Sequence, residues 1–462
     1  MKRALLGLII CACGTPLPEG PDASVEDAGE SLDASVPADA GEVPDAGVIF
    51  DAGVTVDAGE VTVDAGVPDA GPLGTLLYPA GALHSPLTPD VVTNLRTIAA
   101  RAPRTATRLS KVGDSNTVNP SYLECFEGAN VDLDGRTALQ ATVNHFRGSM
   151  SYGRTSLAAT VGWSAGSAIA GTPSPLENEV NAHDPRYATV MFGTNDVGGM
   201  NLDTFGRNLF GIADRLTMAG VVPVLSAIPA RDDSAAVDAW VPRYNAVIRG
   251  VAQARGLPFV DLHRALSPLA SHGLGADGVH LDVYFPGARR PCVFTPAGLA
   301  FGHNVRNLVT LEALDRTVKA VRDGVASDAT GVRLAGQGSA AAPFEVPALP
   351  FGDLRDTRVA GEKRLAAYGG CSSAADESGP EVYYALTLPA AATLRFDVIS
   401  LGGADIDVHL LDATKTAAGC LQRNDKSITA ALAAGTYYLA LDTYVSGGVE
   451  RAGEYLLLVT KP

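Results

Sequence analysis

Arg108-Leu109-Ser110-Lys111-Val112-Gly113-Asp114-Ser115-Asn116 is the stretch on which the reading of this 462-residue chain turns. Arg108 to Val112 reads as a strand that ends at Gly113, and a polar turn follows at once. The same grammar recurs downstream. Tyr187 to Phe192 is a short apolar run ending at Gly193. Val221 to Ile228 is another, ended by Pro229, and Leu257 to Val260 runs into Asp261. Helical spacing lies between them. Phe205, Leu209, Ile212 and Leu216 mark one helix, stopped by Gly220. Tyr244, Val247, Ile248 and Val251 mark the next, and Val305 to Arg322 a last one. Upstream, Asp90 reads as an N-cap before Val91, Leu95, Ile98 and Ala99. Strands that are apolar throughout and alternate with helices predict a parallel sheet covered on both faces, over residues 76–324.

Four polar blocks stand in order along this region. They are Gly113-Asp114-Ser115-Asn116, Gly162-Trp163-Ser164-Ala165-Gly166, Gly193-Thr194-Asn195-Asp196 and Asp277-Gly278-Val279-His280. Two directly follow predicted strands, and ligands of open α/β sheets bind beyond the carboxyl ends of strands. The residue types suit acyl transfer. A serine hydroxyl needs a base to take its proton, and His280 is that base. Asp277, three residues earlier, can orient its other ring nitrogen. The backbone N–H of Ser115, a glycine N–H of the second block and the Asn195 amide can hold a developing oxyanion. His145, His183, His263, His272 and His303 have no partner motif and read as structural, whereas His84 and His409 read as surface residues. Asp196 reads as bonding within its own loop.

Together these blocks resemble the SGNH/GDSL hydrolase family. The resemblance covers 76–324 and implies a flavodoxin-like, three-layer, doubly wound α/β fold. It implies Ser115 as nucleophile, His280 and Asp277 as its triad partners, and Ser115, Gly166 and Asn195 as the oxyanion hole. The first block reads Gly-Asp-Ser-Asn where the family has Gly-Asp-Ser-Leu. The second lacks the family's leading Asn, so Gly162 competes with Gly166 as donor, with Gly166 favoured because it follows a small-residue turn. No His-Cys-carboxylate set has metal-ligand spacing, so neither a metal nor an organic cofactor is expected.

The ends of the chain differ in kind. Lys2 and Arg3 precede an apolar run from Ala4 to Ile10, as in an export signal. The run Ile10-Cys11-Ala12-Cys13 resembles a bacterial lipoprotein box with Cys13 as the lipidated residue, which implies residues 1–13 as a signal peptide and a lipid anchor on the cell envelope. Residues 14–75 repeat Asp-Ala-Gly irregularly, from Asp27 to Asp69, and read as a disordered tether. Residues 14–72 hold fourteen of the 51 acidic residues, and no Lys or Arg stands between Arg3 and Arg96. The rest of the chain is therefore close to neutral, and no nucleic-acid partner is expected. Cys125, Cys292, Cys371 and Cys420 allow three disulfide connectivities, of which the domain boundaries favour Cys125–Cys292 and Cys371–Cys420. A Cys125–Cys292 bond would pin the loop after Ser115 to the loop after His280.

Residues 325–350 are rich in Ala, Gly and Pro and read as a second linker. Beyond them the period changes to two: Leu394, Phe396 and Val398 alternate with polar residues, as do Ile406, Val408 and Leu410. Tyr437 to Leu441 and Tyr455 to Val459 are further strands, so 351–462 predicts a small all-β sandwich. Tyr383-Tyr384-Ala385-Leu386, Ile406-Asp407-Val408 and Ala434-Gly435-Thr436-Tyr437-Tyr438-Leu439 resemble the bacterial pre-peptidase C-terminal domain, which implies an accessory role. Asp405, Asp407 and Asp442 are weighed as a calcium site and read as solvated strand-end carboxylates. The expectation is an exported, monomeric serine esterase acting on a small-molecule or polysaccharide ester, such as an O-acetyl group. The alternatives are a lipase or lysophospholipase, and a surface protein that binds glycan without turnover.

Overall fold

The computed structural model describes residues 74–372 and 375–462. The expected signal peptide, Cys13 and the Asp-Ala-Gly tether up to residue 73 lie outside the described residues.

Four parallel strands, β1 (Thr105–Gly113), β2 (Pro185–Met191), β3 (Val222–Ser226) and β4 (Phe259–Val260), pair in the order β1-β2-β3-β4. A single parallel bridge between Gly113 and Ala159 adds the remnant of one more strand outside β1. The chain thus steps outward from β1 to Ala159, then returns past β1 to β2. That reversal makes the crevice between the ends of β1 and β2 the topological switch point of a flavodoxin-like sheet.

Among the described residues, ten α-helices accompany the sheet: α1 (Pro89–Ala100), α2 (Ser115–Val118), α3 (Gln140–Arg147), α4 (Ala165–Ala168), α5 (Pro175–His183), α6 (Leu202–Met218), α7 (Ala235–Asp238), α8 (Val241–Ala254), α9 (Leu262–Leu266) and α10 (Gly302–Val318). α6 and α8 pack on each other and on β3, while α3 and α10 pack on each other and on the strands, which gives three layers. Asp90 is not the cap of α1. Thr88 holds the N-cap position and Pro89 opens the helix, because proline's fixed φ and missing N–H suit the first turn.

The second lobe is a sandwich. Its strands are β5 (Phe344–Glu345), β6 (Phe351–Asp356), β7 (Val382–Leu388), β8 (Ala392–Ser400), β9 (Ile406–Leu411), β10 (Cys420–Asn424), β11 (Ser427–Leu432), β12 (Gly435–Thr443), β13 (Val445–Ser446), β14 (Val449–Glu450) and β15 (Glu454–Thr460). One sheet runs β10-β9-β12-β7-β5 and the other β11-β8-β15-β6. Leu394, Phe396, Val398, Ile406, Val408 and Leu410 meet between the sheets, as their alternation predicts.

Residues 325–350 are not a free linker. Phe344–Glu345 pairs with β7, and Leu334 and Phe344 enter the sandwich core beside Leu77. Residues 74–77, where the tether was expected to end, pair back onto this segment: Leu77 N donates to Val332 O at 2.8 Å and Leu334 N to Thr75 O at 2.9 Å. Nor do the lobes stand apart. Ile399, Leu456 and Leu458, on the outer face of the second sheet, belong to the core of the α/β lobe. α6 and α8 lie on that face. The approach is close enough that a Cβ on Gly206 would stand 2.5 Å from Ile399 Cδ1. All described residues fall in one compact unit.

Candidate active site

The crevice at the switch point collects the polar blocks. β1 ends at Gly113, where a Cβ would run into the Thr117 hydroxyl and stand 2.6 Å from the Met191 carbonyl of β2. Glycine is what lets the chain turn there without leaving the sheet edge. Asp114 caps α2, its carboxylate accepting from Asn116 N at 3.0 Å. Ser115 is therefore the first residue of a helix, where its N–H has no partner within the helix. Ser115 as a whole is half-buried.

His280 Nε2 lies 2.8 Å from Ser115 Oγ, and His280 Nδ1 lies 2.7 Å from Asp277 Oδ2. The other oxygen, Asp277 Oδ1, accepts from the backbone N–H groups of Val279 and His280, both at 3.0 Å. The His280 N–H leads the causes that hold the Asp277 carboxyl down at about 2, assisted by the Val279 N–H and the imidazole. This carboxylate is 54% exposed and the imidazole 40%, so the relay sits at the surface. Gly278 makes the loop possible: its φ is +68°, and a Cβ there would press 2.6 Å from Asp233 N.

The second and third blocks lock together. Asn195 Nδ2 donates to Trp163 O at 2.9 Å, leaving its second amide hydrogen for another acceptor. Asp196 reaches beyond its own loop and accepts from Ala165 N at 3.1 Å. Burial raises the Asp196 carboxyl to about 6. Thr160 N donates to Gly113 O at 3.2 Å, so residues 160–166 run from the end of β1 to the Asn195 loop. Gly166 lies in the first turn of α4, where Asn208 of α6 passes so close that a Cβ would sit 2.9 Å from its Nδ2. Gly162, at φ +78°, faces no such neighbour.

Two arginines brace the site, and local sequence does not flag either. Arg306 of α10 is fully buried behind the α2 turn. It donates to Asn116 O at 2.6 Å and lies 3.6 Å over the Tyr122 ring. Burial raises the Asp114 carboxyl and the nearby Arg306 charge opposes that shift. Arg231 donates to the Thr194 carbonyl and pairs with Asp233 through both carboxylate oxygens, at 2.7 and 2.8 Å. Asp233 backs Gly278, so Arg231 joins the Asn195 loop to the His280 loop. The site carbonyls they hold, Thr194 O and Asn116 O, lie 37 and 190 residues away, beyond any spacing rule.

The Cys125–Cys292 bond forms with its Cα atoms 5.8 Å apart, and Cys371–Cys420 with 5.3 Å. Asn307 reinforces the first: its amide donates to Ser121 O and Pro291 O at 2.8 and 3.0 Å, and its oxygen accepts from Leu123 N. The segment after Ser115 and the segment after His280 are thus tied to each other and to α10.

Residues 111–283 match the model of the GDSL-like lipase/acylhydrolase family. No curated protein matches. Among solved structures, a variant of an acetyl xylan esterase from Geobacillus stearothermophilus matches with 16% identity, covering 45% of this chain and 94% of that one, at a TM-score of 0.31. A GDSL-like lipase from Bacteroides thetaiotaomicron matches with 15% identity, covering 48% of this chain and 98% of that one, at a TM-score of 0.30.

Proposed function

We propose that this GDSL-like hydrolase is an exported serine esterase that removes short acyl groups, such as O-acetyl groups of polysaccharides, through an acyl-enzyme on Ser115. The observation that carries the reading is the unbroken relay Ser115 Oγ to His280 to Asp277, at 2.8 and 2.7 Å.

Each step follows from that geometry. Ser115 Oγ attacks the ester carbonyl as His280 Nε2 takes its proton. The tetrahedral oxyanion meets the Ser115 N–H, the free hydrogen of the Asn195 amide and a glycine N–H of the second block, for which Gly166 is the preferred donor. Collapse expels the alcohol, which takes the proton from His280, and leaves the acyl group on Oγ. Water then gives a proton to His280, attacks the acyl carbon, and the acid leaves as Ser115 recovers its hydrogen. Asp277 stays ionised throughout and keeps Nδ1 protonated.

The exposure of His280, Asp277 and Asn195 supports a bulky polymer as the acyl carrier, because nothing deep has to be threaded. A lipid anchor at Cys13 and a monomeric state complete the proposal, with the enzyme tethered outside the cytoplasm. Release of acetate from acetylated xylan, measured beside p-nitrophenyl esters of increasing chain length, tests the substrate class. Activity confined to long acyl chains would replace this reading with a lipase.

A further inference from the structure

The sandwich carries a buried polar cluster far from any role in acyl transfer. Residues 361–372 and 375–381 lie over the outer face of β9 and β12 and are fastened by Cys371–Cys420. On that face, β9 presents Asp407 and His409 two residues apart, while Val408 between them points into the sandwich. His409 and Asp407, expected at the surface, are buried, as are Glu377 from the covering segment and Asp442 opposite Asp407 on β12.

We propose that Glu377, Asp407 and His409 form a binding site for a divalent transition-metal cation such as Zn2+. One donor atom from each lies within 4.8 Å of the others, and His409 Nε2 stands 3.7 Å from Glu377 Oε1. Zinc bonds of about 2.0–2.2 Å place neighbouring ligand atoms roughly 3.3 Å apart, so small side-chain shifts close the site. The second observation is His409 itself. Its side chain has no exposed surface, and neither ring nitrogen makes a hydrogen bond of ordinary geometry, although the backbone of its cross-strand partner Ala440 acts on the ring. Glu377 Oε2 is likewise buried without a hydrogen bond of ordinary geometry, although the Asp407 carboxyl lies against the Glu377 side chain. Unsatisfied buried acceptors are uncommon, and these belong to side chains that ligate metals. Tyr368 stacks on the His409 ring at 3.5 Å and donates its hydroxyl to Asp442, which fixes the imidazole plane as an outer shell does around a metal.

The guanidinium of Arg423 now serves as the cluster's cation, contacting Glu377 Oε1 at 3.2 Å and also Asp407. Its side chain is 24% exposed and it also faces Asp425, which is 70% exposed. The guanidinium therefore has a solvent-side partner to swing to when a metal enters. Burial and the neighbouring Asp407 push the Glu377 carboxyl up to about 8, and a divalent charge would relieve that crowding.

The test is calorimetric titration of the chelator-stripped full-length protein with ZnCl2. One Zn2+ per chain is expected, with a raised melting temperature and unchanged esterase activity. His409→Gln and Glu377→Gln should each weaken binding at least about 10-fold. Arg423→Gln, which removes the competing cation, should strengthen it. X-ray absorption of the zinc-loaded parent gives a readout that needs no variant: one imidazole among oxygen ligands is expected. Absence of zinc binding, binding that His409→Gln leaves intact, Arg423→Gln binding no tighter than the parent, or a shell with two or more imidazoles would each overturn the site.

Discussion

At the scale of single residues, Asp277 and Asn195 make separable contributions to the proposed reaction. Asp277 holds the His280 tautomer and accepts three hydrogen bonds in all. Asp277→Asn keeps the shape but offers the ring a donor where it needs an acceptor. Its kcat should fall by about 10⁴ with little change in KM, as for the equivalent change in a serine protease. Because the folded carboxyl titrates at about 2, Asp277 remains ionised across the working range. The acid limb of a pH–rate profile must therefore report another group. A limb that disappears in Asp277→Asn would contradict this. Asn195→Ala removes one oxyanion donor and should lower kcat by about 10²–10³. Parallel loss in kcat and kcat/KM is the signature to look for. Both residues were legible in the sequence because each sits in a short block beside a strand end or a histidine. Arg231 and Arg306 were not, since an arginine that braces a loop from far along the chain leaves no local pattern.

At the scale of elements, the strand–turn–helix at Gly113 to Val118 depends on support from behind. Arg306 on α10 donates to the Asn116 carbonyl at 2.6 Å, so Arg306→Met should destabilise the fold by about 1–3 kcal/mol, read from urea unfolding. The sandwich strand β9 was legible on one face only. Ile406, Val408 and Leu410 announced the core, whereas Asp407 and His409 read as solvent-facing, although residues 361–372 and 375–381 cover them. That covering has a consequence for pH. Burial raises Asp442 to about 9, Glu377 to about 8 and Glu381 to about 7, against unfolded values of 3.8, 4.5 and 4.5. Between pH 5 and 9 the folded state keeps protons that the unfolded chain has released. Stability contributed here is thus present in acid and lost as pH rises. In chelator, the melting temperature should be lower at pH 8.5 than at pH 5.5, by roughly 2–4 °C for each kcal/mol lost. A rise over that interval would contradict the burial of these carboxyls.

At the scale of the whole molecule, the boundary between an α/β part and a β part was readable from the change of period, but their fusion was not. The signal was present in β15, whose Tyr455-Leu456-Leu457-Leu458-Val459 run does not alternate. Tyr455, Leu457 and Val459 fill the sandwich while Leu456 and Leu458 meet the helices. A strand buried on both faces is apolar throughout. The segment 325–350 misled for a different reason: Gly and Ala suit linkers, and they also suit chain pressed between two lobes. Since the lobes share a core, calorimetry should show one cooperative unfolding transition and not two. Gly206→Leu, which forces a side chain into Ile399, should cost about 1–3 kcal/mol and keep that single transition.

In the proposed reaction Ser115 is a nucleophile activated by His280. Hydrolysis of p-nitrophenyl acetate by residues 73–462, beside a folded Ser115→Ala variant, tests it most directly. Turnover should fall to background in the variant. Equal turnover by both proteins, or none by the parent on any acyl chain length, would contradict it.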